Sequence, residues 1–327
     1  MAPLHARPAA HSGAGAPAAA PPAAPGPGPP LAVLVTGASG LVGAALTARL
    51  AADGHRVRRL VRAAAGAADL AWDPAAGRLA PAALAGFDAV VHLAGENLAA
   101  GRWSAGRRRR IRDSRTRGTR LLAEAIAGLA RPPAVLVCAS AVGYYGDRGE
   151  SWLSEDSPPG SGFLAEVCRD WEAASEPAEA RGVRVVRLRL GAVLAGSGGL
   201  LARLAPLFRL GLGGRVGSGR QYLSWISLPD VLEVARRALR DPGLRGAVNA
   251  VSPAPVPQAE FAAALGRALR RPARLPVPAW AVRLALGEMG RELLLSGARV
   301  RPARLLEAGF AFRHPELPGA LAQALGR

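Results

Sequence analysis

The sequence predicts an α/β protein in which a doubly wound parallel sheet is followed by a smaller, mainly helical C-terminal lobe. Short apolar runs alternate with segments of helical spacing, and a glycine-rich turn joins the first such pair. From about Gly191 onward, glycine and proline interrupt the chain more often. We therefore expect 31–190 to form the sheet domain, with later segments returning to it, and 191–327 to form the smaller lobe.

The expected strands are apolar or alternating runs, as in a sheet that is covered on both faces. Residues 31–35 are only Leu, Ala and Val, whereas arginine and apolar residues are interleaved in 56–61 and 183–190. The run at 88–94 ends at Gly95, and two prolines precede the run at 134–140. The sequence thus predicts strands at 31–35, 56–61, 88–94, 134–140 and 183–190.

The expected helices repeat apolar residues at spacings of three and four. Leu46 and Leu50 share one face of a helix at 41–52, which ends at Asp53 and Gly54. A second helix at 105–130 has a stripe of Ile111, Gly118, Leu122, Ala125 and Ile126, and a third is predicted at 163–180. Strands that alternate with helices indicate βαβ units and parallel pairing.

Residues 1–30 form a separate segment, in which 24 residues are alanine, proline or glycine. No periodic apolar face is present that could offset the entropy of ordering, so we predict a disordered tail. A signal peptide is one alternative, although nine prolines interrupt its apolar stretch. A misassigned start codon is another, and the sequence leaves the choice open.

Composition excludes several classes of protein. With only Cys138 and Cys168, the chain is not a disulfide-stapled secreted scaffold, and we expect two buried thiols in a reducing, cytoplasmic compartment. No zinc-ligand spacing occurs, so no metal is expected. The net charge of +18 comes from 42 basic residues, all of them arginine, against 24 acidic residues. The absence of lysine removes every lysine-dependent catalytic scheme.

A G-x-x-G-x-x-G pattern at 37–43 directly follows the first strand and opens the first helix. In such a loop the first glycine permits a tight turn, the second lets the backbone approach a pyrophosphate, and the third allows close helix packing. The helix N-terminus adds unpaired N–H groups for phosphates. An ordinary glycine-rich turn is the alternative, but the strand–turn–helix context favours a dinucleotide. The predicted cofactor-binding residues here are Gly37, Ser39, Gly40, Leu41, Val42 and Gly43.

The end of the second strand predicts which dinucleotide is bound. An acidic residue there would hold the ribose 2′-hydroxyl of NAD, but 56–62 has four arginines and no acid follows until Asp69. Arg62 lies 19 residues after Gly43, where a guanidinium could bond a 2′-phosphate with about 1.5–3 kcal/mol. The sequence therefore predicts NADP(H) rather than NAD(H). The alternative is that Arg62 is one more residue of an arginine-only basic set.

Several further blocks, in a fixed order, resemble one known family. They are His92-Leu93-Ala94-Gly95-Glu96-Asn97, Arg102-Trp103, Ser140-Ala141-Val142-Gly143-Tyr144-Tyr145-Gly146-Asp147, Trp171-Glu172, Gly217-Ser218-Gly219-Arg220-Gln221-Tyr222, Trp225-Ile226 with Asp230, Asn249 with Ser252-Pro253, and Glu307-Ala308-Gly309-Phe310. Over about 31–325 the chain resembles the atypical extended short-chain dehydrogenases/reductases of the NAD-dependent epimerase/dehydratase family. It is most similar to the YfcH-like epimerase family proteins, whose C-terminal domain of unknown function would lie at about 273–325.

This resemblance implies a Rossmann-like domain, a bound dinucleotide and a substrate cleft between the lobes, but no known substrate. It places a strand end beside the cofactor, with Leu93, Ala94, Gly95 and Glu96. It also places Gln221 and Trp225 on the substrate side, in a segment that closes over the substrate in extended relatives.

The sequence departs from the family at the catalytic dyad. Classical relatives use a serine, a tyrosine and a lysine four residues further on, whose charge lowers the pKa of the tyrosine. Counted from Ser140, the matching positions fall near Phe163 and Val167. The catalytic candidates are therefore Ser140, as holder of a substrate oxygen, and Tyr144 and Tyr145, as proton donors. The alternatives are a strand-end serine that caps a backbone group, and a packed pair of loop tyrosines.

The eight arginines of 107–120 raise the question of nucleic-acid binding. They lack interleaved aromatic residues for stacking, so we interpret them as the solvated face of a helix, with Arg102 or Arg115 reaching the cleft. The uncharged stretch 31–48 has too many glycines and hydroxyl side chains for a membrane span. We expect a small-molecule substrate and neither nucleic acid nor membrane as partners. A homodimer is compatible with the sequence.

Two functional hypotheses follow. The first is an NADP(H)-dependent oxidoreductase or epimerase-like enzyme, which acts on an unidentified small molecule of the carbonyl or nucleotide-sugar class. The second is a non-catalytic NADP(H)-binding sensor or regulator. The matching blocks around the cleft favour an enzyme, and the absent lysine favours the sensor.

Overall fold

The computed structural model describes residues 28–63, 66 and 69–327, so most of the predicted tail lies outside the described residues. The strands are β1 (Ala32–Thr36), β2 (Arg56–Val61), β3 (Asp69–Ala71), β4 (Ala89–His92), β5 (Val135–Ala141), β6 (Trp152–Leu153), β7 (Arg184–Leu190), β8 (Ala192–Ala195), β9 (Tyr222–Leu223), β10 (Trp225–Ser227), β11 (Gly246–Ala250), β12 (Val256–Pro257) and β13 (Arg299–Val300). The helices are α1 (Leu41–Ala52), α2 (Ala105–Ala127), α3 (Phe163–Ala173), α4 (Glu176–Ala180), α5 (Gly199–Arg209), α6 (Leu228–Arg240), α7 (Gln258–Leu269), α8 (Ala279–Leu286), α9 (Glu288–Gly290), α10 (Ala303–Glu307) and α11 (Leu317–Ala324), with a π-helical turn at Arg291–Leu295.

Seven strands form the main sheet, in the order β11-β7-β5-β4-β1-β2-β3, and all of its pairings are parallel. Strands β1 and β4 are buried throughout, as strands covered on both faces are, and each is apolar up to its last residue, Thr36 or His92. The direction of the strand order reverses between β1 and β4, and the C-terminal ends of these two strands therefore flank a crevice.

Helices cover both faces of this sheet. Val33 of β1 faces a core that includes Leu46 of α1 and Val234 of α6. Its neighbour Leu34 faces the opposite core, which includes Leu122 of α2. This alternation follows from the two-residue period of a strand. The predicted fold class, a doubly wound parallel sheet with a helical C-terminal region, is confirmed.

Residues 163–180, which we expected to form one helix, are instead the two helices α3 and α4. The Ser175 hydroxyl donates to the Glu172 carbonyl at 2.6 Å, which ends α3. Pro177 then stands in the first turn of α4, where its missing N–H costs nothing. The break lets Arg187 of β7 donate to the Ser175 hydroxyl oxygen at 2.8 Å.

The segments after Gly191 contribute to both parts of the molecule. Helix α6 packs against α1, and β11 forms the outer edge of the main sheet. A separate core joins α5, α7 and α11, with Trp225 and Phe261 fully or almost fully buried in it. Near the C-terminus, β13 pairs with β6, which brings this part of the chain beside the C-terminal end of β5.

Candidate functional site

The glycine loop lies against the chain segment that follows β4. Gly37 has a φ of +67°, and a methyl group there would lie 2.6 Å from the Leu93 carbonyl carbon and 2.7 Å from the Ala94 nitrogen. The Gly40 amide donates to the Gly37 carbonyl at 2.9 Å and closes the turn. Only glycine suits position 37, both for its backbone angle and for this close approach.

Helix α1 begins immediately after this turn, with Gly40 as N-cap and no capping side chain. A methyl group at Gly43 would lie 2.2 Å from the Gly37 carbonyl oxygen, so the first helical turn packs directly on the loop. The first amides of an uncapped helix are donors for an anion, strengthened by the helix dipole. The loop thus fits the phosphates of a dinucleotide, with Ser39 exposed and Leu41 and Val42 half-buried at its rim.

Arg62 follows the last residue of β2 and is exposed. The next acid along the chain, Asp69 of β3, accepts hydrogen bonds from Arg59 at 2.7 and 2.9 Å, and its side chain is almost fully buried. This carboxylate is therefore already engaged and not placed to hold a ribose hydroxyl. The end of β2 offers a cation to a ligand and fits a 2′-phosphate.

Residues 93–96 form the other wall of the crevice. The Thr36 hydroxyl accepts from the amides of Leu93 and Ala94 at 3.2 and 3.3 Å. The Arg115 guanidinium donates to the Glu96 carbonyl at 3.1 Å. The same guanidinium also faces Gly95. Strand β4 is thereby tied to both β1 and α2. We expected Arg102 or Arg115 to reach the cleft, and of these two Arg115 belongs to the lining of the cavity described below.

A buried polar network lies at the C-terminal ends of β5 and β7. The Ser140 hydroxyl donates to Glu172 at 2.6 Å, and the guanidinium of Arg189 donates to both oxygens of the same carboxylate at 2.8 and 2.9 Å. Arg189 also donates to the Tyr145 hydroxyl at 2.9 Å, which in turn donates to Asn249 of β11 at 2.7 Å. Four segments distant in sequence are thus joined through one arginine.

Electrostatics in this network favour a structural role. Burial raises the pKa of Tyr145 to about 12, although Arg189 and Asn249 work against that shift. Burial would lower the pKa of Arg189, but its bonds to Glu172 outweigh burial and raise it. Arg189 is therefore charged, and Tyr145 is neutral, over the physiological pH range.

Two of the three catalytic candidates must be corrected. Tyr145 is fully buried, and its hydroxyl donates to Asn249 and accepts from Arg189, so it is not a proton donor to a substrate. The Ser140 hydroxyl is 2% exposed and bonded to Glu172, so it holds that carboxylate rather than a substrate oxygen. Tyr144 remains half-buried, with the Arg189 guanidinium 3.5 Å from its ring centre. The two tyrosines pack edge to face, as the alternative interpretation held.

Both proposed substrate-side residues are also corrected. Trp225 is fully buried in the core of the second lobe, and its indole N–H donates to the Ala254 carbonyl at 2.9 Å. The Gln221 amide donates to the carbonyls of Val216 and Leu294 at 2.9 and 2.8 Å. Gln221 therefore holds the C-terminal segment in place, and its neighbours in sequence, not Gln221, line the cavity described next.

A cleft of about 670 Å³ lies at the C-terminal ends of β5 and β7. Its apolar wall includes Leu98, Val142, Leu164, Cys168, Trp171 and Leu223. Its polar and charged lining includes Arg115, Asp147, Ser224, Arg283, Arg291 and Glu292. The size and the mixed lining are those of a small-molecule site. Burial raises the pKa of the Cys168 thiol to about 12, so this side chain is an apolar wall and not a thiolate.

The C-terminal segment closes one side of this cavity. Glu292, in the π-helical turn, accepts from the amides of Phe163 and Leu164 at 2.9 and 2.8 Å. Helix α3 begins after Gly162 and has no side-chain cap of its own, so Glu292 supplies its cap from 128 residues further along the chain. Sequence reasoning missed Glu292, because no local pattern marks a capping residue that is distant in sequence.

The positions near which the resemblance predicts the family dyad, Phe163 and Val167, carry apolar, buried side chains. Phe163, the first residue of α3, packs edge to face on Trp103 and lies under the Arg108 guanidinium at 4.6 Å. Val167 is buried one turn later.

Within the described residues, no group of three or more His, Cys, Asp or Glu side chains is arranged to hold a metal ion. No helix in this part of the chain is long and apolar enough to cross a bilayer.

Comparisons with known proteins agree with this geometry. The model of the NAD dependent epimerase/dehydratase family matches residues 33–250, and that of a domain of unknown function, DUF1731, matches 277–324. Epimerase family protein Mb2239 of Mycobacterium bovis is 48% identical over 296 residues, which cover 90% of this chain and 98% of that protein.

Two solved structures are similar over nearly the whole described chain. The human epimerase family protein SDR39U1 (isoform 2) with NADPH has a TM-score of 0.82 at 35% identity, covering 90% of this chain and 99% of that chain. A nucleoside-diphosphate sugar epimerase from Corynebacterium glutamicum has a TM-score of 0.77 at 39% identity, covering 91% of this chain and 59% of that chain. The glycine loop, the sheet order and these matches together confirm the resemblance found in the sequence: the chain belongs to the NAD dependent epimerase/dehydratase family.

Proposed function

We propose that this protein is an NADP(H)-dependent oxidoreductase or epimerase-like enzyme, which acts on a small molecule held in the cavity beside β5 and β7. The observation that carries the proposal is the uncapped start of α1, packed on a glycine turn at the β1–β4 crevice. Backbone amides at such a helix start bind phosphates. The NADPH bound to the human relative supports the same cofactor here.

The preference for a 2′-phosphate rests on charge at the end of β2. Arg62 is exposed there, and Arg59 engages the carboxylate of Asp69 at 2.7 Å. A site with a cation and no available acid attracts a phosphate and does not hold a ribose diol by a carboxylate. NADPH is therefore the expected ligand, rather than NADH.

The cavity lies where a substrate would meet the nicotinamide in this fold, at the C-terminal ends of the strands. When bound, the cofactor would exchange a hydride with a carbon of the substrate. The chain contributes an apolar wall that excludes water, including Leu164 and Trp171, and a cation, Arg115, held by the carbonyls of Ile111 and Glu96. With Ser140 and Tyr145 engaged elsewhere, Tyr144 is the proposed proton donor; it is half-buried and directly follows Gly143, a residue of the cavity lining.

A second candidate function is a non-catalytic NADP(H)-binding sensor. The observation that favours it is the apolar pair Phe163 and Val167, where the family has its tyrosine and lysine. Such a protein would bind the cofactor through the glycine loop and change its C-terminal contacts without turnover.

Titration with NADPH and NADH tests the cofactor. We expect Arg62→Ala to weaken NADPH binding at least about tenfold, because a charge-assisted bond to the 2′-phosphate is lost, and to leave NADH binding unchanged. Arg56→Ala, at the opposite end of the same strand, is the matched control and should bind NADPH as the wild type does. Equal affinity of the wild type for both cofactors would contradict the NADP(H) preference, and binding of neither would contradict the proposal as a whole.

Turnover distinguishes the two functions. NADPH oxidation is followed with a panel of carbonyl compounds. Because epimerisation consumes no net cofactor, the interconversion of nucleotide sugars in the presence of NADP⁺ is followed by NMR. We expect Tyr144→Phe to lower kcat by about a hundredfold or more while the Kd for NADPH is kept. A wild-type rate in this variant would exclude Tyr144 as the donor. Tight NADPH binding with no turnover on any panel would favour the sensor.

A further inference from the structure

One surface of the second lobe combines exposed apolar side chains with arginine. It consists of residues 199–217 and 269–287, and we call it the arginine–leucine face. Nine large apolar side chains are exposed among the described residues, and seven of them belong to this face. These seven are Leu207, Leu210, Leu212, Leu275, Val277, Trp280 and Leu284. A surface with so many exposed apolar side chains is typical of an interaction site.

Backbone hydrogen bonds hold the two segments of this face side by side. The Leu275 amide donates to the Gly213 carbonyl at 3.1 Å, and the Val277 amide to the Arg215 carbonyl at 2.8 Å. The Gly217 amide then donates to the Val277 carbonyl at 2.8 Å. The two segments are therefore neighbours in the second lobe.

Helices α5 and α8 contribute to this face, and each already buries residues on its other side. The apolar residues on the remaining side therefore point outward. In α5, Leu201 and Phe208 are buried, whereas Leu207 and the C-cap residue Leu210 are exposed, Leu210 by 73%. In α8, Val282 is buried, whereas Trp280 and Leu284, one turn apart, are 68% and 72% exposed. Folding of the chain alone leaves these side chains without a partner.

The charge of this face is of one sign. The two segments contain seven arginines and no aspartate or glutamate. All seven are exposed, and none forms an ion pair within the part of the chain that the structure describes; they are Arg203, Arg209, Arg215, Arg270, Arg271, Arg274 and Arg283. Elsewhere, exposed arginines such as Arg78 and Arg120 do have carboxylate partners.

We propose that the arginine–leucine face binds the surface of an anionic lipid bilayer. Leucine and tryptophan side chains would enter the boundary between headgroups and acyl chains, and the guanidinium groups would contact lipid phosphates. This inference is independent of the proposed enzymatic function. Our expectation of no membrane partner considered spanning segments only, and binding at the surface needs no span.

Charge argues against a second copy of the chain as the occupant. A two-fold interface places the same patch on both subunits. Two arginine–leucine faces would bring together fourteen arginines and no acid, by doubling the seven of one chain. Like charges at that density oppose association, whereas an anionic bilayer supplies the missing negative charge.

Vesicle flotation tests the proposal. The full chain is mixed with phosphatidylcholine vesicles that contain or lack phosphatidylglycerol, and we expect binding only to the anionic ones. Trp280→Ser/Leu284→Ser should lower partitioning at least about tenfold, because two large apolar side chains no longer leave water. The matched control is Trp152→Ser/Leu306→Ser, which removes the two exposed large apolar side chains outside the face. Thermal unfolding confirms that each variant is folded.

A charge variant distinguishes binding through the arginine–leucine face from a general attraction between the positively charged chain and an anionic vesicle. Arg271→Gln/Arg274→Gln should weaken binding and its salt dependence more than Arg109→Gln/Arg110→Gln, which removes the same charge from α2. Equal losses in these two variants, or unchanged binding of Trp280→Ser/Leu284→Ser, would show only diffuse attraction to a chain of charge +18 and overturn the proposal. A dimer in light scattering that Trp280→Ser/Leu284→Ser dissociates, without vesicle binding, would assign the face to a second copy and also overturn it.

Discussion

At the residue scale, one arginine holds together the sheet edge that faces the cavity. Arg189 is 4% exposed and pairs through two bonds with Glu172, which is itself bonded by Ser140. A buried ion pair is costly to desolvate, and it persists only when its remaining donors and acceptors are satisfied. Here Tyr145 and the Glu155 carbonyl accept from Nη1 of Arg189. These residues support the site without facing it.

We expect Glu172→Gln to destabilise the protein by about 3 kcal/mol or more, because Arg189 would remain buried without a counter-charge. The measurement is the free energy of unfolding in urea. Arg112→Gln, which breaks the exposed pair with Glu166, is the control and should cost no more than about 1 kcal/mol. Similar values for the two variants would show that the buried pair is not held as the structure indicates.

Two glycines of the loop should respond differently to alanine. At Gly43 a methyl group would lie 2.2 Å from a backbone carbonyl oxygen, so we expect Gly43→Ala to destabilise the fold by about 2 kcal/mol or more. At Gly40, where φ is −78° and the nearest atom would be 3.2 Å away, the fold should tolerate alanine. There the methyl group would instead obstruct the cofactor.

The measurements for this pair are thermal unfolding and NADPH titration. Gly40→Ala should unfold near the wild-type temperature and bind NADPH at least about tenfold more weakly. Gly128→Ala, with only ordinary contacts around its added methyl group, is the control. Normal NADPH binding by Gly40→Ala would contradict the phosphate role of the loop.

At the scale of the element, α3 shows how the C-terminal segment shapes the cavity. This helix supplies Leu164, Val167 and Cys168 to the cavity wall, and its first amides are bonded to the Glu292 carboxylate. A carboxylate at a helix start is favoured by the hydrogen bonds and by the dipole. The position of the wall therefore depends on the docking of residues 291–295.

We expect Glu292→Gln to cost about 1–2 kcal/mol and to speed hydrogen exchange at the amides of Phe163 and Leu164. Ser104→Ala removes the local cap of α2, where the serine oxygen accepts from Arg107 at 3.2 Å. This control should lower stability by about 1 kcal/mol and leave exchange in α3 unchanged. Unaltered exchange at Phe163 and Leu164 in Glu292→Gln would refute the cap.

At the scale of the whole molecule, a buried chain of hydrogen bonds crosses the centre of the sheet domain. His92, at the end of β4, bonds Thr36 of β1 at 2.7 Å and Thr119 of α2 at 3.0 Å. Trp171 of α3 donates to the same Thr119 hydroxyl at 2.9 Å. The neutral imidazole of His92 thereby links β1 and β4, which flank the crevice, through Thr119 to α3, which lines the cavity.

This histidine makes stability depend on pH. Burial lowers the pKa of His92 from 6.5 to about 4. The unfolded chain therefore takes up a proton that the folded protein excludes, and the free energy of unfolding falls as pH decreases from 6.5 to 4. The loss is at most about 3 kcal/mol, and the contribution is complete above pH 6.5.

Urea unfolding at pH 7 and at pH 4.5 measures this effect. His92→Gln keeps a polar side chain between the two threonines but does not titrate, so the difference between the two pH values should be smaller in the variant. His55, whose pKa burial also lowers, remains present in both proteins and cancels in the comparison. The same pH dependence in variant and wild type would exclude His92 as its source.

Local sequence patterns were sufficient for the parallel sheet, the glycine loop and the position of Arg62. Each of these depends on residues close together in the chain, such as the spacing of Gly37 and Gly43, and on periodicity that burial imposes. Local patterns did not predict that the side chains of Ser140, Tyr145 and Trp225 are buried. Whether such a side chain faces a cleft or a core depends on partners more than twenty residues away, such as Glu172, Asn249 and Ala254. Long-range packing, which leaves no periodic trace in the sequence, selects those partners and shapes the cavity.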